Sequence, residues 1–291
     1  MAQLRRHAHL EPGDPAAVIG VRRPVPVLAP FISHYAGFSV DGLTPGTDVG
    51  QPSRHVHLII SLGEPIEILR MPNAFQRAGF MTALVSGLQD APAVVRRRSS
   101  WKGIHVFLKP FGVQALLRAS GLELSSRVFD LWDVWGRQAP RLVEQLRDAH
   151  TWEARFGILD TVFARALRPG RRPPALAWAW RTLAASHGRC TIEALARGAG
   201  WSRPYFTERF RAEIGLTPKV AARIFRFERA CRLIKDMRPR LADVAADCGF
   251  HDQAHMTREW HALTGSSPAV WIARELPFLQ DYELSGGDDE C

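Results

Sequence analysis

Several groups of side chains have the types and spacing to do chemistry. His55 and His57 stand two residues apart in the β-rich stretch 52–63. On a strand, residues i and i+2 face the same side, so the pair could hold a metal with a third ligand such as His105 or Glu64. The simpler alternative is a pair of partly exposed strand histidines, and no metal is expected. Arg96, Arg97 and Arg98 form an unbroken cationic run, which suits an anionic ligand or, more simply, an exposed turn or strand end. Arg223, Arg226, Arg229 and Arg232 recur at helical spacing and read as a solvated face with some ion pairs. The cysteines are Cys190, Cys231, Cys248 and Cys291, with no Cys-x-x-Cys pair. That argues against a disulfide framework or a structural zinc site and fits a reducing compartment.

Charge narrows the partners. Lys and Arg number 38 against 29 Asp and Glu, a formal charge of +9. The excess is densest after residue 170, while the last fifteen residues are acidic. A chain this basic often meets nucleic acid or an anionic membrane. No apolar run approaches the length of a membrane span. No apolar segment follows Arg5, Arg6 and His7, so no secretory signal is visible, and a cytoplasmic location is expected.

The elements that must position these groups fall into two blocks. Arg168-Pro169-Gly170-Arg171-Arg172-Pro173-Pro174 cannot continue a helix, which places a linker at 169–174. Before it, residues 1–168 form one expected domain. Val25–Val40, His55–Leu62, Pro65–Leu69 and Ile104–Leu108 read as strands, with turns at Gly42–Pro52 and Leu88–Pro92. Beyond residue 110 about three helices are expected. After the linker, residues 175–277 read as all-helical, and 278–291 as an acidic, disordered tail. The fold class is therefore α+β in two domains: a small antiparallel β-barrel-like domain with helices, then an all-α domain.

The second block repeats itself. Phe210, Gly215 and Pro218 recur as Trp260, Gly265 and Pro268, and Gly200-Trp201 as Gly249-Phe250. Each copy reads short helix, glycine turn, second helix, the pattern of a helix-turn-helix unit. Ser202 and Asp252 stand where N-caps belong. An expected joining helix of about 18 residues would span roughly 27 Å, near the roughly 34 Å between successive major-groove faces of B-DNA.

The run Gly249-Phe250-x-Asp252-Gln253-x-x-Met256-Thr257-Arg258-x-Trp260, with Gly265 and Pro268 after it, resembles the signature of the AraC/XylS family of bacterial transcription regulators. The resemblance covers about residues 175–275. It implies a sequence-specific regulator of double-stranded DNA with no enzymatic activity and no cofactor. A small-molecule effector, RNA polymerase and a second copy of the chain are further candidate partners. It places base contacts at Arg203, Pro204, Thr207, Glu208 and Arg211 in the first unit, and at Gln253, Ala254, Thr257 and Arg258 in the second. Their chemistry is uneven. Arginine can hold phosphate or read guanine, and Gln253 can read adenine. Glu208 departs from the family pattern, and Pro204 has no donor. The segments 52–63, 86–89 and 109–112 are similar to reduced cupin-like sensor domains. Some relatives carry a zinc-bound cysteine nucleophile ahead of this DNA-binding domain, but no cysteine precedes Cys190 here.

Overall fold

The computed structural model describes residues 3–5, 16–168, 170, 173–237 and 240–273. The acidic tail 278–291 and part of the expected linker lie outside them.

The N-terminal half is built on strands β1 (Gln3–Arg5), β2 (Ala16–Arg22), β3 (Ile32–Asp41), β4 (Gly46–Gly50), β5 (Val56–Ser61), β6 (Ile66–Arg70), β7 (Gly79–Met81), β8 (Ala83–Ser86), β9 (Ala93–Arg97), β10 (Ser100–Leu108) and β11 (Val128–Asp130). They make two antiparallel sheets. One runs β1-β2-β3-β10-β5-β8-β11 and the other β4-β9-β6-β7. β10 sits between β3 and β5, with Val106 opposite Tyr35 on one side and Leu58 on the other. Along β5, and along β10 from Gly103 to Leu108, nearly every residue is buried. Ile104, Val106 and Leu108 belong to the large core shared with the helices. The alternate side of the same strands turns toward the second sheet, where Ile66, Ile68, Met71, Leu84 and Val128 form a smaller core. A sheet covered on both faces reads as a continuous apolar run rather than an alternating one.

That arrangement corrects three expectations. The stretch 42–52 is not only turn, because it holds β4. The first long strand starts at Ile32 rather than Val25, the intervening chain being a turn that buries Leu28 and Phe31. β11 lies inside the part read as helical. β4 and β11 are only five and three residues long, too short to display a period of two.

After β10 come a π-helical turn (Val113–Leu117), α1 (Gly121–Leu124), α2 (Leu131–Trp135), α3 (Gln138–Asp148) and α4 (Trp152–Ala166). α1 starts with a full capping box, Ser120 Oγ accepting from Glu123 N while Glu123 reaches back to Ser120 N. α4 lies against the sheet where Gly20 and Gly37 stand opposite each other on β2 and β3. The Trp152 indole covers this bare patch: a Cβ on Gly37 would come within 2.3 Å of its ring. Further along α4, buried Asp160 accepts from Tyr35 Oη at 3.0 Å and Val25 N at 3.2 Å, and pairs with Arg22. Burial, then the neighbouring Asp160 carboxylate, push the Tyr35 phenol well above its ordinary range.

The C-terminal half is helical: α5 (Pro174–Ala185), α6 (Ile192–Gly198), α7 (Arg203–Ile214), α8 (Pro218–Met237), α9 (Leu241–Asp247), α10 (Gln253–Thr264) and α11 (Pro268–Ala273). The two halves are in close contact. α1 packs on the end of α7, so tightly that a Cβ on Gly121 would sit 2.4 Å from Glu213 O. Ser125 Oγ donates to Gly215 O at 2.6 Å. On the other side, the Arg54 backbone N–H and Nε bind Glu228 of α8 at 2.8 and 2.7 Å, with the guanidinium over the Phe225 ring.

Gly37→Ala should force Trp152 off the sheet. Overpacking of this kind costs about 1–3 kcal/mol, to be read as a lowered urea midpoint. Unchanged stability would show that α4 is not seated by this contact.

Candidate nucleic-acid interface

Each repeat folds as helix, glycine turn, helix. In the first, Thr191 caps α6 by accepting from Ala194 N at 3.1 Å. Gly200 takes a φ of +72° in the turn, and Gly215, at +99°, ends α7. Both are left-handed positions that glycine occupies without a Cβ clash. In the second, Gly249 and Gly265 take φ of +75° and +74° at the same places. Asp252 caps α10, accepting from His255 N at 2.6 Å. That backbone bond, with a side-chain bond from His251, holds the Asp252 carboxyl below its ordinary range. Ser202 has the extended backbone of an N-cap, yet its side chain makes no capping bond. Pro204 in the first turn of α7 removes one donor that would otherwise need satisfying.

The apolar faces of the two second helices are buried as the stripes require: Phe206, Phe210 and Ile214 on α7, Met256, Trp260 and Leu263 on α10. Trp260 meets Phe227 of α8 at 4.8 Å and Trp271 of α11 at 5.2 Å between ring centroids. α8 carries 20 residues, about 30 Å of helix, and separates the two units.

The sequence-derived contact positions fall on the outer surfaces. Arg203, Pro204, Glu208 and Arg211 are exposed on α7, with Thr207 half-buried. Gln253, Ala254 and Arg258 are exposed on α10, with Thr257 half-buried. The first set is not one uniform cluster. Arg203 is paired with Glu193 of α6 at 2.6 Å. Arg211, in the last turn of α7, instead lines a cleft shared with Asp90, Ser125 and Arg127 of the N-terminal half. Gln253 and Arg258 lie on the first turns of α10, where base edges are usually reached.

Two residues were not singled out from sequence. Tyr205 is 49% exposed at the start of α7, its ring edge-on to Trp201 at 5.1 Å. Glu259 is the more consequential. Its carboxylate receives Arg223 at 3.3 Å and Arg226 at 3.3 Å, both from α8, and His255 at 3.3 Å from the preceding turn. The reading of Arg223 and Arg226 as a solvated face is therefore corrected: both are only about a fifth exposed. They fix α10 to α8. Their three-residue spacing was the visible signal, but the matching acid lies more than thirty positions away.

The histidines are corrected as well. His55 and His57 are buried rather than partly exposed, because both faces of the sheet are covered. His57 Nδ1 and His105 Nε2 are 2.6 Å apart. His34 and His105 each stack on Phe107 at 4.0 Å. Among the described residues no group of His, Cys, Asp and Glu is arranged to hold a metal. Burial pulls His57 down to about 3, with His34 a lesser cause. It pulls His55 and His105 well below their ordinary value. The Arg96–Arg98 run ends a strand, each arginine paired with an acid: Glu67, Asp48 and Glu64.

A family of helix-turn-helix domains matches residues 195–274. The DNA-binding domain of AdpA, a global transcriptional factor solved with a target DNA, is 32% identical, covering 34% of this chain and 87% of that one, with a TM-score of 0.30. Apo ToxT from Vibrio cholerae is 9% identical over 82% of this chain and 97% of its own, with a TM-score of 0.50. ToxT bound to (E)-4-(8-methylnaphthalen-1-yl)but-3-enoic acid is 7% identical over 81% and 96%, also at 0.50. No curated protein matches the chain. The C-terminal half defines a DNA-binding transcription regulator rather than an enzyme. The chain belongs to the AraC family, and its two-part architecture is shared with ToxT. Among the described residues no helix is long and apolar enough to cross a membrane.

Two outcomes follow. Glu259→Ala leaves two largely buried guanidinium groups without their acid, a loss of about 1–3 kcal/mol, and it should loosen α10. Hydrogen exchange along α10 checks this, and unaltered protection contradicts it. The second concerns pH. The unfolded chain takes up protons on its histidines near pH 6.5, whereas folded His57 does so only near 3, and folded His55 and His105 also do so well below the ordinary value. Their contribution to stability is complete above pH 6.5. It falls by about 1.4 kcal/mol per histidine for each pH unit below that. The N-terminal half should therefore melt at a progressively lower temperature from pH 6.5 to 5. A flat profile by calorimetry would contradict the burial of these rings.

Proposed function

We propose that α7 and α10 enter successive major-groove faces on one side of a duplex, and that α10 is the principal reader of base sequence. The observation that carries this is the placement of Gln253 and Arg258, both exposed and unburdened by the N-terminal half, on the opening turns of a helix clamped through Glu259. Gln253 offers the amide that pairs with adenine, and Arg258 the fork that pairs with guanine or phosphate. Ala254 and Thr257 complete the surface as apolar and hydroxyl contacts. α7 contributes less base reading. Arg203 is drawn toward Glu193, Pro204 has no donor, Glu208 can accept only from a cytosine amino group, and Arg211 faces the cleft. Thr207 and the arginines serve mainly to position the unit on phosphate.

The N-terminal domain, over 1–168, acts as the sensing or pairing module, with the linker at 169–174 and the reader at 175–277. A small-molecule effector is favoured by a cavity between the two sheets. The neighbour ToxT is known bound to an organic acid. Control through a homodimer and contact with RNA polymerase fit the same architecture, and the working location is the cytoplasm.

Arg258→Ala should weaken specific binding by about 1–3 kcal/mol and relax preference at one base. A gel-shift titration against specific and scrambled duplexes checks it. Equal affinity and equal preference in the variant would contradict the assignment.

A further inference from the structure

A cavity of about 60 Å³ lies between the two sheets, more than one water needs. Its walls are mainly apolar, among them Ile59, Ile66, Ile68, Leu84, Val95 and Trp101. Among the described residues, no Asp, Glu, Lys or Arg lines it. Its polar side is formed by His57, His105, Ser86 and Gln89. Ser86 Oγ donates to Gln89 Oε1 at 3.1 Å, and Gln89 Nε2 donates to Gly50 O at 3.1 Å, so these two are already engaged. The histidines are not. Both are almost fully buried, at 3% and 1% exposure, and His57 Nε2 and His105 Nδ1 have no hydrogen-bond partner.

The bond between the rings constrains what those two nitrogens can be. A neutral imidazole has one N–H and one bare nitrogen. One proton lies between His57 Nδ1 and His105 Nε2. If His57 supplies it, His57 Nε2 is bare and His105 Nδ1 carries a proton. If His105 supplies it, the reverse holds. Either way the pair offers one donor and one acceptor, and burial keeps both rings neutral.

We propose that this cavity binds a small, uncharged, mainly apolar molecule carrying one group that both donates and accepts a hydrogen bond, such as an alcohol or a primary amide. A carboxylate fits poorly. It accepts only, so the bare nitrogen stays unpaired, and its charge meets no counter-charge in the walls. The proposal rests on the reading of the N-terminal domain as a sensor and gives that sensor a ligand class.

The test uses the full chain with 15N-labelled histidine, titrated with 2-propanol and, separately, with acetate of matched size in slightly alkaline buffer. 2-Propanol should shift the His57 and His105 ring resonances and bind at least about tenfold more tightly than acetate. In His105→Phe, with its fold checked by circular dichroism, that preference should vanish. If the variant does not fold, the wild-type titrations alone decide. Acetate binding as tightly as 2-propanol at these nitrogens overturns the ligand class. Ring resonances unmoved by 2-propanol, meaning a site for water alone, also overturn it. DNA affinity measured with and without 2-propanol separates the two readings. Moved resonances with unchanged DNA affinity support the ligand class and count against the sensor. A DNA response to acetate alone supports the sensor and counts against the ligand class.

Discussion

The fixed spacing of α7 and α10, the two helices proposed to lie along a duplex, is the constraint on which the rest of this structure depends. A single chain can touch two successive major-groove faces only if something rigid holds its reading helices about one DNA turn apart. α8 is that spacer. Its 20 residues reach about 30 Å, and α7 and α10 are each fixed to it. On one side Trp180 of α5 bridges the two, its ring 6.2 Å from Phe210 of α7 and 5.0 Å from Phe225 of α8. On the other, Phe227 meets Trp260, and Glu259 receives Arg223 and Arg226. The ionic clamp adds orientation to apolar contacts that lack direction: a carboxylate shared by two guanidinium groups tolerates little rotation of α10 about its own axis.

The same spacer is where the N-terminal half takes hold. Arg54 grips Glu228 through both its backbone and its side chain, and Ser125 and Gly121 press on the glycine that ends α7. The N-terminal half therefore touches the helix-turn-helix units at two places. One is the middle of α8 and the other the C-terminal end of α7. Arg54 is the chain neighbour of His55, whose ring lies 6.2 Å from that of His34. The histidine layer around Phe107 thus connects the cavity side of the sheet to the residue that holds α8.

The repeat was legible in the sequence because it depends on local rules. Glycines at 200, 215, 249 and 265 occupy turns that need positive φ, and the stripes on α7 and α10 need only a period of 3.6. What was hidden depended on contacts distant in sequence. Glu259 is an unremarkable acid until α8 folds beside it. His57 and His105 lie 48 positions apart and meet only through the register of β10 against β5. β4, β9 and β11 were missed because strands of three to five residues are too short to show an alternating pattern. The candidate DNA contacts were legible as surface positions, but the difference between α7 and α10 in access was not. It arises from Glu193 and from the cleft around Arg211.

The central claim is that one chain reads two sites a fixed distance apart. Selection of bound duplexes from a random pool tests it most directly. The account predicts an enriched site of two recognition elements in direct repeat, about one helical turn between their centres, with stronger base preference in the element met by α10. Enrichment of a lone short element indifferent to its flanks, or no enrichment at low and physiological salt alike, would contradict it.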